Sequence, residues 1–350
     1  MSWCMEEREA HTPAIRATSA GGTIRIRHAL DCRRSALAHL VLGLTLCIAS
    51  ACGKDPTSPW DRHIHPTYLL DLAWDFSPDG RSVLYAHANS LSAPAGIYRT
   101  DAIAAGTPQA LMTLGPSGEY PTGVRYSPGG DSIAFQRGLE IWIRRISDGT
   151  ETQVTFTGGN ATDPDWDPSG TRLVYIRPFL TSGPDTSAGL FIVDLADLRS
   201  HHLTHDGQPT YGAAPRWSPD GGAIAFWYGS PAHLFVVAPD GSGYRDLTPG
   251  SARRADEPMW IEGGKRVLYE SFGNSGSDHH TRVVGRGGAG DAKFPVRLRP
   301  YGVRSAVSRD GAIAAYDSVD ASGDTLVLYL KALSPAGMLT VPRPRRLTGS

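Results

Sequence analysis

The sequence predicts an all-β chain folded as a six-bladed propeller of four-stranded blades, preceded by an export signal and a tether. Three observations carry that expectation. A short turn phrase occurs six times, the copies are 40–51 residues apart, and the segments between them alternate apolar and polar or small residues at the period of a strand. Repeats of that length built from strands alone are the mark of propeller blades.

The clearest copy of the phrase is Trp217-Ser218-Pro219-Asp220-Gly221, followed by Ile224-Ala225-Phe226. Proline presets φ for a turn, aspartate bonds its own backbone, and glycine reaches φ > 0 without a Cβ clash. Phe76–Gly80, Tyr126–Gly130 and Trp166–Gly170 repeat it, and Trp260–Gly264 and Val307–Gly311 are degraded copies. The closing glycines, Gly80, Gly130, Gly170, Gly221, Gly264 and Gly311, are spaced 50, 40, 51, 43 and 47 residues apart. Glycine and proline together make up 66 of 350 residues, as many short strands and tight turns require.

In chain order, residues 1–51 form the signal region with an extended N-terminus. Arg33-Arg34 precede about a dozen apolar residues and the small residues Ala49-Ser50-Ala51, the pattern of a cleaved signal and too short for a span of ~20 residues. Cys4, Cys32, Cys47 and Cys52 all precede the first blade, so no disulfide is expected in it. Residues 52–68 hold Pro56, Pro59 and Pro66 among polar residues and read as a tether. His63 and His65 within it lack the further ligands a metal site needs.

Residues 69–350 are the propeller. Each repeat reads as inner strand, proline-glycine turn, second strand, variable loop, third strand, polar turn and outer strand. In the second repeat these are Thr122–Tyr126, Ser132–Gln136, Glu140–Ile146 and Thr152–Thr155. Third strands rhyme as Ile141-Trp142-Ile143, Leu190–Val193 and Leu234–Val237, and outer strands end Val154-Thr155, Leu203-Thr204, Leu247-Thr248 and Leu347-Thr348. The fifth repeat carries long Gly-rich loops, with His279 and His280 placed in one of them. Each repeat supplies all of its own strands, so the ring is expected to close by side-chain packing, with no strand lent across the seam.

These phrases resemble the WD40-like PD40 repeat of the TolB family propellers: a W-S-P-D-G turn, then I-A-F, a hydrophobic third strand and an R-L-T ending. The resemblance covers about residues 69–350 and implies a six-bladed propeller. Ala49-Ser50-Ala51-Cys52 in turn resembles a bacterial lipobox, which implies lipidation of Cys52, with alanine where leucine is usual.

The aromatics before the turns read as packing between blades. The residues just before them, Asp75, Arg125, Asp165 and Arg216, alternate in sign and share the opposite strand phase. They are expected to make acid–base contacts between neighbouring inner strands around the channel. Asp163 and Glu257, each three residues before a tryptophan, are candidates for the channel mouth. These six are the candidate binding residues, with no catalytic or metal residue and no cofactor expected.

After Cys52 there remain 28 Lys/Arg and 31 Asp/Glu, so charge gives no case for nucleic acid as a partner. A propeller joined to a serine hydrolase would show a Gly-x-Ser-x-Gly elbow, and the sequence has none. His201, His202 and His205 belong to an outer-strand region, remote from a channel. The expectation is a non-enzymatic, lipid-anchored module that binds a protein of the bacterial envelope, on the periplasmic side of the outer membrane or else in the soluble periplasm or at the surface. The alternatives are a small-ligand or carbohydrate-binding propeller and, after it, a lyase or hydrolase sited in the channel.

Overall fold

The computed structural model describes residues 71–87, 96–102, 107–113, 121–158, 161–177, 188–204, 214–273, 278–294, 305–319, 326–332 and 345–346. All belong to the unit Cys47–Ser350. The signal region, Cys52, the tether and Leu347-Thr348 lie outside these residues.

Among the described residues, twenty-four strands pair into six four-stranded antiparallel sheets, each a meander in chain order. The first comprises β1 (Asp71–Phe76), β2 (Ser82–His87), β3 (Gly96–Asp101) and β4 (Gln109–Thr113). The second holds β5 (Thr122–Tyr126), β6 (Ser132–Arg137), β7 (Glu140–Arg145) and β8 (Glu151–Gln153). β9 (Thr162–Trp166), β10 (Arg172–Arg177), β11 (Gly189–Asp194) and β12 (Ser200–His202) make the third. The fourth is β13 (Arg216–Trp217), β14 (Ile224–Tyr228), β15 (His233–Val237) and β16 (Arg245–Asp246). In the fifth are β17 (Arg254–Ile261), β18 (Arg266–Phe272), β19 (His279–Gly285) and β20 (Ala292–Lys293). The sixth consists of β21 (Ser305–Val307), β22 (Ile313–Val319), β23 (Leu326–Ala332) and β24 (Arg345–Arg346). This is an all-β propeller, and the sheets are its blades.

The turn phrase is a closed hydrogen-bond unit. Ser218 donates its hydroxyl to Asp220 Oδ1 at 2.6 Å and accepts the Ala223 amide at 2.9 Å, while Gly221 N–H reaches the Ser218 carbonyl at 2.9 Å. Ser77 with Asp79 and Ser308 with Asp310 repeat it. In the third blade the order is Asp167-Pro168-Ser169, and the partners exchange roles: Ser169 donates to Asp167, which takes the Arg172 amide. The glycine has a second duty. Gly130 has φ 76°, and a Cβ there would sit 3.3 Å from Pro78 of the preceding blade, so the turns nest against one another.

The Leu/Val-Thr rhyme has a different cause from the strand ending expected for it. β8, β12 and β16 stop just before it. The backbone N–H of Val154, Leu203 and Leu247 still bonds across to the third strand, and the threonine hydroxyl then takes the amide of that strand's second residue. Thr155 accepts from Ile141 at 2.8 Å, Thr204 from Leu190 at 3.1 Å and Thr248 from Leu234 at 3.0 Å. A hydroxyl replaces a ladder carbonyl at the fraying end of a short outer strand.

Apolar packing runs between blades. Separate buried clusters join the first blade to the second, the second to the third, and so on, the last joining Ala306 and Ala315 of the sixth to Ala73, Phe76 and Tyr85 of the first. The sixth sheet takes its strands from its own repeat, and among the described residues it meets the first through side chains. Residues 60–69, the segment that would lace the seam, lie outside the described residues.

His279 and His280 are corrected from loop to strand: they open β19, paired with Phe272 and Ser271. Glu270, fully buried in β18, provides the anchor, with its Oε2 2.6 Å from His279 Nε2 and the Thr281 hydroxyl donating to its Oε1 at 3.2 Å. His201 and His202 lie within β12, and His205 lies outside the described residues.

Candidate functional site

The inner strands β1, β5, β9, β13 and β17 bring five of the candidate residues to the axis of the ring. The pairing slips by a residue in β1, β5, β9 and β17, each time just before the residue that precedes the aromatic: Asp75, Arg125 and Asp165 in the first three, and the uncharged Met259 in β17. In four consecutive blades the residue three before the aromatic is left-handed: Gly123 (φ 62°), Asp163 (φ 50°), Ala214 (φ 34°) and Glu257 (φ 44°). Such a bulge bends the strand and re-aims the side chains beyond it. Only glycine adopts that backbone freely, so Asp163, Ala214 and Glu257 hold it at a cost of about 1–2 kcal/mol each. Asp163 and Glu257 thus share a backbone position. Glu257 lines a cavity in the channel, and Asp163 does not.

Past the bulge, the alternating charges meet neighbouring blades in two ways. Asp75 Oδ2 accepts the backbone N–H of Tyr126 at 2.9 Å, and Asp165 Oδ2 that of Trp217 at 2.6 Å. The arginine positions use their backbone carbonyls instead: Arg125 O receives the Trp166 indole N–H at 3.2 Å, and Arg216 O that of Trp260 at 2.8 Å. Aspartate and arginine alternate because carboxylate-to-amide and carbonyl-to-indole fastenings alternate.

The expected chain of acid–base contacts is correspondingly shorter. Arg125 donates to the carbonyl of Trp74 and lies with Nε 3.9 Å from Asp165 Oδ1, and its charge also acts on Asp75. Arg216 donates only to the carbonyl of Pro215, at 2.7 Å, with no carboxylate in ion-pair distance among the described residues. Its place in the alternation suggests one more member of the charge ring. In the structure its side chain belongs to the cavity.

That cavity, about 120 Å³, is lined by Asp75, Arg125, Asp165, Arg216 and Glu257, with Trp74, Trp166, Trp217 and Trp260 as walls and Pro168, Pro219 and Arg309 at the turn end. Arg309 is the residue sequence reasoning missed. It stands where the first four turns carry proline and the fifth Glu262, in the degraded phrase Val307-Ser308-Arg309-Asp310-Gly311, and that departure was its signal. Its charge reaches both Asp75 and Asp165.

Burial is the largest influence on both ring aspartates and pushes their carboxyls upward, against the pull of Arg125 and the backbone amides. Asp165 is pushed up to about 7, with the charge of Asp75 adding to the rise. Its side chain keeps 16% exposure to the channel, so it exchanges protons with solvent. No group of three His, Cys, Asp or Glu side chains among the described residues converges with metal-ligand spacing.

No family model matches the chain. Over 113 residues it is 29% identical to the uncharacterized peptidase YuxL of Bacillus subtilis, a stretch amounting to 31% of this chain and 17% of that protein. Among solved structures it is similar to oligogalacturonate lyase from Vibrio parahaemolyticus, with TM-score 0.54, 17% identity, and 81% and 80% of the two chains covered. TolB from Acinetobacter baumannii gives TM-score 0.54 and 14% identity over 79% of this chain and 66% of that one. The putative TolB from Agrobacterium tumefaciens gives 0.53 and 19% over 76% and 91%. At these identities the likeness establishes the β-propeller fold, which the TolB proteins share.

Proposed function

We propose that this chain is an exported, lipid-anchored TolB-like propeller that binds a protein partner of the bacterial envelope at its channel. The carrying observation is the charged cavity on the axis, where fastened aspartates stand beside two guanidiniums with no ion-pair partner among the described residues. Its size supports a protruding side chain over an enclosed small molecule, since about 120 Å³ falls below the ~300–1,000 Å³ of small-molecule pockets. Catalysis is no part of this reading: the sequence carries no Gly-x-Ser-x-Gly elbow, and the side chains of Asp75, Arg125 and Asp165 hold neighbouring blades. The lipobox-like Ala49-Ser50-Ala51-Cys52 supports the anchor.

A second reading is a carbohydrate-binding or lyase propeller, supported by the likeness to oligogalacturonate lyase. Fractionation tests the anchor. Cys52→Ala should leave the membrane fraction or remain unprocessed, because two or three acyl chains at ~0.8 kcal/mol per buried CH₂ hold far more firmly than none. Wholly membrane-bound Cys52→Ala protein would remove the lipoprotein part of the reading.

A further inference from the structure

Apart from Glu257, the cavity's charges fall into two groups. Asp75 accepts the amides of Phe76 and Tyr126, and Asp165 accepts that of Trp217 and faces Arg125. These carboxylates are engaged. Arg216 and Arg309 are not: the first bonds only the Pro215 carbonyl, and the second makes no hydrogen bond or ion pair among the described residues. A guanidinium has five donors in a planar fork shaped for a carboxylate. Both line one cavity, and the indole walls of Trp217 and Trp260 lower the local dielectric and strengthen a charge-assisted bond.

We propose that the turn end of the channel is a carboxylate site, in which Arg216 and Arg309 receive an acidic side chain or chain terminus of the partner protein. This rests on the reading of the channel as the partner-binding site and gives that partner its chemistry. Binding takes up a proton. The entering carboxylate meets Asp165, which faces Arg125 on β5, Asp75 on β1, the Trp217 amide on β13 and Arg309 in the sixth turn, with Glu257 and Arg216 on the same cavity. Two anions in so small a space favour the neutral form of Asp165, which burial already favours near neutrality.

The test uses the full chain and its tryptophan fluorescence, since Trp74, Trp166, Trp217 and Trp260 wall the cavity. Probes are N-acetyl-glutamate amide and galacturonate, with N-acetyl-glutamine amide and galactose as neutral controls. The expected result is saturable binding of the glutamate probe and none of the glutamine one. Arg216→Gln and Arg309→Gln should each weaken it about tenfold, the worth of one charge-assisted hydrogen bond. Affinity should fall several-fold between pH 6 and 8 in the parent and stay level in Asp165→Asn. Near-UV circular dichroism of each variant confirms that the fold is kept.

Equal binding of charged and neutral probes, or indifference to both arginine substitutions, overturns the carboxylate site and leaves a protein-binding channel of other chemistry. Binding of galacturonate without the glutamate probe overturns the peptide source and with it the protein-binding reading.

Discussion

Asp165→Asn should make the propeller more stable at pH 8 and remove much of its loss of stability between pH 4 and 7. Asp165 has a value of about 7 in the folded chain against 3.8 for an ordinary aspartate. Between those values the folded state holds a proton that the unfolded state has released. Stability therefore falls as pH rises through the window and levels off above it. The full difference corresponds to about 4 kcal/mol. Channel water reaches 16% of the side chain and screens part of that, leaving on the order of 1–3 kcal/mol. Asparagine keeps an oxygen to accept the Trp217 amide, so the fastening survives while the charge is lost. Urea denaturation of parent and variant at pH 4, 5, 6, 7 and 8 measures the effect. Parallel stability profiles, or a variant less stable than the parent at pH 8, would refute the reasoning. Below pH 4 both proteins should weaken together. Asp79 and Asp310 are held below the usual aspartate value, chiefly by the hydroxyls of Ser77 and Ser308, and that support is lost as pH falls through their folded values.

Two further substitutions address the repeat and the bulge. Thr248→Val keeps the shape but strands the buried Leu234 amide, and should cost about 1–3 kcal/mol in urea denaturation. A loss under ~0.5 kcal/mol would mean that the threonine is not a clasp. Glu257→Gly relieves a left-handed backbone and should gain about 1 kcal/mol while weakening any contact made through the carboxylate. A destabilised Glu257→Gly protein would show that the side chain contributes more than the strain removes.

The turn phrase was legible because its hydrogen bonds are local: serine, aspartate and glycine lie within five residues and need no tertiary partner. Exchange of Asp167 and Ser169 left the phrase recognisable for the same reason. The Leu-Thr ending was legible as a rhyme but not as a clasp, because a hydroxyl that completes another strand's ladder looks like a strand residue. The alternation of Asp75, Arg125, Asp165 and Arg216 was visible, yet its partners across the blades are backbone amides for the aspartates and indole N–H groups for the arginine carbonyls, which the charge pattern spells nowhere. The bulge hid behind Asp163 and Glu257, whose side chains suggested function while the matching Gly123 and Ala214 marked the backbone. Arg309 sat in a copy too degraded to invite attention to its proline position.

Photo-crosslinking inside cells tests the central claim most directly. A benzoylphenylalanine at Pro219, on the cavity lining, is compared with one at Thr152, exposed on the outer strand β8. The sixth turn already holds Arg309 at the position equivalent to Pro219, so a bulky residue there is compatible with the turn. A channel that binds a protein predicts a discrete adduct, heavier by one partner, from position 219 and not from 152, reduced when Arg216 and Arg309 are also replaced by glutamine. Adducts of equal yield from both positions, or none from position 219, would contradict it.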